Sequence, residues 1–98
     1  MSNGSNLYRH TGTTDETVIS TDRSRVIAIL PEDTTAGTVT LRDSNTADDS
    51  DPVHIAAAGL PQTGKMFSQR GVKFATGLTV QLSDDTDVVL IVWAPKFS

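Results

Sequence analysis

Six consecutive apolar residues, Val88-Val-Leu-Ile-Val-Trp93, place the strongest constraint on what this chain can become. Successive side chains of a β-strand point to opposite faces, so a strand without a polar break asks for apolar cover on both. The β-branched content and short length favour a strand over a buried helix, which would run to ten residues or more. Two covers are hard to find within 98 residues. A single domain of that size buries roughly 65% of the surface its unfolded form exposes. The apolar fraction is 37%, with seven glycines in addition, near the low edge of the usual ~45–50%. One face of Val88–Trp93 is therefore expected on the chain's own core and the other on a second subunit.

The remaining sequence reads as short strands between turn residues. Thr17–Ser20 and Ser24–Leu30 come first, the latter closed by Pro31, and Thr38–Arg42 alternates Val39 and Leu41 with polar neighbours. Val53–Ala57, a short edge strand at Lys65–Ser68, Val72 with Phe74, and Leu78–Leu82 follow. Turns are expected at Gly59–Gly64 and Thr76–Gly77, and Ser83–Thr86 reads as a hairpin connection. No window clear of Gly or Pro carries the three-and-four spacing of an amphipathic helix. The expected fold is all-β, a compact β-sandwich or jelly-roll-like barrel over residues 17–98. Residues 1–16 are mostly polar around Leu7 and Tyr8. They are expected as an N-terminal arm, mobile or pinned to a neighbour through those two side chains.

Eight basic against twelve acidic residues give a net charge of −4, which repels phosphate backbones and anionic lipid. Neither nucleic acid nor a membrane is an expected partner. There is no cysteine, so stability must come from packing or assembly rather than disulfides or thiolate metal sites. The opening MSNGSNLYRH has no apolar core of a secretory signal, and no run approaches the ~18 apolar residues of a membrane span.

Motifs that carry chemistry are sparse. Gly59-Leu-Pro-Gln-Thr-Gly-Lys65 fits seven positions of a phosphate-binding loop, but Met66 stands where a hydroxyl should hold magnesium and no helix is expected there. It reads as a turn between strands. Ala47-Asp-Asp-Ser-Asp51 and Ser83-Asp-Asp-Thr-Asp87 cluster carboxylates as calcium requires, yet neither has the glycine and bidentate Glu of an EF-hand, so solvated loop tips are expected. His10 and His54 are too few for zinc, and His54 is expected to face outward or be satisfied in the core. Arg23, Arg25, Arg42 and Arg70 lie near strand ends, exposed or paired with acidic loops of a neighbour. No cofactor, metal site or catalytic set is expected.

The pattern Gly71-x-x-Phe74-x-x-Gly77-Leu-x-Val80-x-Leu82-Ser-x-x-x-Asp87, followed by the apolar strand, resembles the ending of many small tailed-bacteriophage virion proteins. Such proteins are ~100-residue β-sandwiches serving as capsid decoration or cement proteins, head fibres or tail accessories. The resemblance covers about the last quarter of the chain, and Ala94-Pro-Lys-Phe-Ser98 departs from it by continuing past the strand. It implies that Phe74 and Leu78 lie on a strand pair where subunits pack, often about a threefold axis.

The function expected is therefore a non-enzymatic virion protein that oligomerises, as trimers, and docks on the major capsid protein at the capsid surface after assembly in the host cytoplasm. Val89, Ile91 and Trp93 would join Phe74 and Leu78 in the interface, with Leu7 and Tyr8 anchoring the arm. Two rivals stand beside it. One is a receptor- or carbohydrate-binding module of a tail or head fibre, although one Trp, one Tyr and three Phe are scarce for a sugar platform. The other is a small hydrolase with a carboxylate pair.

Overall fold

The computed structural model describes residues 6–11, 15–32, 37–46, 53–59, 63–67, 71–84 and 87–95. Among them are nine strands: β1 (Asn6–Thr11), β2 (Thr17–Ser20), β3 (Ser24–Pro31), β4 (Thr38–Arg42), β5 (Val53–Ala58), β6 (Lys65–Met66), β7 (Val72–Phe74), β8 (Leu78–Leu82) and β9 (Val88–Pro95). They make two antiparallel sheets, β1-β9-β3-β6 with β7 also on β3, and β2-β8-β4-β5. The fold is the all-β sandwich expected from the alternation. With β7 set aside, this strand order is that of a jelly roll.

The winding corrects one local expectation. Ser83–Thr86 leads from β8 in one sheet to β9 in the other, so it is a crossover and not a hairpin. Thr76–Gly77 likewise carries the chain from β7 across to β8. Side-chain alternation specifies which face a strand buries and leaves its neighbour open, which is why sequence adjacency misled here.

The sheets close on a core to which β3 gives Val26 and Ile29, β9 gives Val89 and Ile91, and β7 gives Phe74. Opposite them stand Val39 and Leu41 of β4 and Leu78, Val80 and Leu82 of β8. The unbroken apolar run thus does alternate: Val89 and Ile91 are fully buried, while Val88, Leu90 and Val92 are half-buried on the outer side of the sheet.

Within the segment expected as a polar arm, Asn6–Thr11 is an edge strand of the chain's own sheet. It pairs with β9 from Asn6↔Trp93 to Thr11↔Val88. Side-chain polarity hid it, because a strand docking on β9 gains main-chain hydrogen bonds that composition does not register. Tyr8 packs against the core and His10 is buried, its ring stacked 5.9 Å from that of Tyr8.

The two glycines of the Gly-x-x-Phe-x-x-Gly unit act on the backbone. Gly71 has φ 75°, which side chains rarely tolerate. A Cβ on Gly77 would stand 2.5 Å from the Ser44 carbonyl oxygen and 2.8 Å from that of Ser20. Just beside it, the Asp43 carboxylate accepts the amides of Ala75 at 3.0 Å, Thr76 at 2.7 Å and Gly77 at 3.3 Å. The unit is a crossover between sheets, locked by Asp43 from the neighbouring loop.

Candidate functional site

Residues opposite one another in an antiparallel pair share a face, so the registers assign the outer surface of the β1-β9-β3-β6 sheet. Leu7 lies opposite Val92, Val92 opposite Ala28, and Ala28 opposite Met66, giving one apolar row across four strands. The next row is Arg9, Leu90 and Leu30. Among the described residues the exposed large hydrophobics are Leu7 at 62%, Met66 at 66% and Val53 at 53%. Two of these three end the same row, so the exposure is organised rather than scattered. Small Ala28 is sunk between Val92 and Met66, buried but outside the core cluster.

Charges bound the apolar area at both ends. Toward one end the Glu32 amide donates to the Val88 carbonyl at 3.0 Å, which places Glu32 on the outer side beside Val88. Its carboxylate accepts Nε of Arg9 and, at 3.2 Å, a terminal guanidinium nitrogen of the same side chain. Arg9 lies on β1 and Glu32 just past the end of β3, on either side of β9, so the pair bridges over that strand. The hydrogen bond to Glu32 holds the Arg9 guanidinium above its ordinary value, and the same bond draws the Glu32 carboxyl below its own. Both groups are exposed, so the pair adds little stability and chiefly defines the rim. At the other end Arg25 is opposite Ala94 and Lys73. The Arg25 Nε is buried without a hydrogen-bond partner.

The outer face of the second sheet is polar at its centre, with Val18 of β2 and Val53 of β5 flanking it. Thr79, directed outward between the buried Leu78 and Val80, donates its hydroxyl to Oε2 of Glu16 at 2.8 Å. Nη1 of Arg42 reaches Oε1 of Gln81 at 2.7 Å and Oε2 of Glu16 at 3.4 Å. The Arg42 and Glu16 side chains are 11% and 5% exposed. Arg42 therefore serves its own fold, in a buried pair whose separation would be costly.

The expected interface residues divide in two. Phe74, Leu78, Val89 and Ile91 are completely buried in the chain's own core and present no surface to a partner. Tyr8 and Trp93 are half-buried and also pack on that core, whereas Leu7 is exposed. Trp93 pairs with Val26 and Asn6 on the inner side. The outward residues Met66, Leu90, Val92 and Leu30 are not among the interface residues expected from the sequence. The signal for them was the even members of the run, Val88, Leu90 and Val92, read against a two-residue period.

The remaining motifs resolve locally. Lys65 and Met66 pair with β3 as a strand, where a phosphate loop would start a helix. The Asp87 carboxylate accepts the Gly37 amide at 3.0 Å, and Ser83 Oγ accepts that of Thr38 at 2.7 Å. Among the described residues no group of three or more His, Asp or Glu is placed to hold a metal ion. The cluster 47–51 and Arg70 lie outside the described residues. His54 is exposed, donates Nε2–H to the Lys73 carbonyl at 2.9 Å, and sets its ring edge-on to Phe74 at 4.6 Å. It joins the edges of the two sheets.

Comparison with protein-family models, characterised proteins and solved structures found no match to this chain.

Proposed function

We propose that the chain is a non-enzymatic structural protein of a tailed-phage virion, which self-associates and docks on the capsid shell as a decoration or cement protein. The observation that carries this reading is the apolar outer face of β1-β9-β3-β6, bounded by charges at both ends, on a sheet whose other face already holds the core. Such a surface is built to be covered by protein. The resemblance of Gly71–Asp87 to virion proteins supplies the shell as the wider setting, and jelly rolls recur in capsid domains, although a fold alone assigns no function. A sugar platform draws less support, because the described aromatic rings, Tyr8, Phe67, Phe74 and Trp93, pack on the core instead of standing in solvent.

The test is location. Particles purified from cells that encode this chain should contain it by mass spectrometry, and a cryo-EM map should place a two-sheet domain of this topology on the shell. Particles lacking the chain would remove the virion role.

A further inference from the structure

The face just described is matched to itself. Along the outer side of β3, Arg25 stands at one end and Glu32 lies just past the other, with Ala28 and Leu30 between them. We propose that two copies of this chain pack these faces together about a two-fold axis running across the strands. Each strand then lies antiparallel over its own counterpart, and Arg25 of each copy meets Glu32 of the other. This inference rests on the self-association half of the function above and is independent of the shell.

Charge selects the axis. A two-fold along the strands would set Arg25 against Arg25, whereas one across them sets Arg25 and Lys73 of one copy against the Arg9–Glu32 pair of the other at both ends of the seam. The same rotation brings the row Leu7, Val92, Ala28, Met66 over the row Arg9, Leu90, Leu30 of the second copy, so apolar side chains meet near the middle. The chain as a whole carries −4, so two copies repel across most of their surfaces. This face carries Arg9, Arg25 and Lys73 against Glu32 and lacks that acidic excess.

Size sets the strength. Four strands spaced ~4.8 Å apart, over about seven residues at ~3.3 Å, give a flat footprint of roughly 450 Å² per copy. Two such faces bury on the order of 1,000 Å² with their corrugation, at the threshold for a specific interface. The expected dimer is therefore weak, dissociating on the order of tens of micromolar. The two-fold pair proposed here differs from the threefold assembly that the resemblance implies.

Sedimentation equilibrium of the full chain from about 1 to 500 µM tests the seam. The wild type should pass from monomer to dimer across this range. Met66→Asp, an exposed change on a rim strand, should weaken association at least about tenfold. Arg25→Glu and Glu32→Arg should each do the same alone, while an equimolar mixture of the two should recover dimer, since a hybrid pair restores opposite charges at both ends. Circular dichroism and urea unfolding establish that each variant is folded. A wild type that stays monomeric, a dimer indifferent to Met66→Asp, or a mixture no tighter than its separate components would each overturn the proposal. No shell is present, so a negative result leaves capsid docking to the particle experiment, and an undecorated particle leaves the seam standing.

Discussion

Asp43 shows how much a single side chain in this fold depends on distant sequence. Its carboxylate accepts three amides from the β7–β8 crossover more than thirty residues away. Charge-assisted bonds of this kind are stronger than neutral ones, and partial exposure reduces them. Asp43→Ala should lower stability by about 2 kcal/mol in urea unfolding, and Asp43→Asn, which keeps an acceptor, by about half as much. In the sequence Asp43 is only the polar residue after the strand Thr38–Arg42, since its partners are defined by tertiary structure. His10 was equally illegible: a lone histidine in a polar segment, it becomes buried once β1 docks. Burial lowers its pKa from the ordinary value of 6.5. At pH 7.5 the ring is mostly uncharged in both states. As pH falls through 6.5 the unfolded chain takes up a proton that the folded ring resists, so stability declines until the folded pKa is reached. The slope is at most about 1.4 kcal/mol per pH unit. Urea midpoints measured from pH 7.5 to 5 should fall for the wild type and fall distinctly less for His10→Leu. Equal slopes would show that other groups govern this window.

At the scale of elements, eight of the nine described strands were legible as short runs between turn residues, helped by burial that largely alternates along β3, β4 and β9 and by β-branched residues at β3 and β9, although β2 is half-buried throughout and both residues of β6 are exposed. The edge strand β1 was not. Its six residues hold two large apolar side chains, Leu7 and Tyr8, and only Tyr8 packs on the core. The strand exists because β9 offers it a register of six paired positions, from Asn6↔Trp93 to Thr11↔Val88. Sheet membership was hidden for a related reason: β8 and β9 adjoin in sequence but belong to different sheets. The candidate surface was half legible. An unbroken apolar run announced a second apolar face, yet choosing its outward members required knowing that Val89 and Ile91 turn inward. A truncated chain beginning after Thr11 separates an edge strand from a loose arm. It should lose about 3 kcal/mol or more, through exposure of the Tyr8 and His10 contacts and the freed edge of β9, whereas removal of an arm would leave the urea midpoint unchanged.

At the scale of the whole molecule, a thin domain of 35 × 29 × 18 Å has two broad faces and one core between them. One face is tied down by the buried Glu16–Arg42–Thr79 contacts, while the apolar face leaves Leu7 and Met66 exposed. The proposed association through that face would bind the folded state alone and so raise stability by mass action, by RT ln(1 + [L]/Kd) in the limiting case. The melting temperature of the wild type should therefore rise as protein is taken from about 5 to 500 µM, and that of Met66→Asp should stay level over the same range. Trp93 provides an internal control in the same samples. Its ring packs against the chain's own core, so its emission should be blue-shifted and unchanged between monomer and dimer, even as the melting temperature moves. Emission that shifted red on dilution would place the ring in the seam, which would require β9 to turn its inner side outward. A concentration-independent melting temperature in the wild type would instead leave the apolar face without a self-partner, and cover would have to come from another protein.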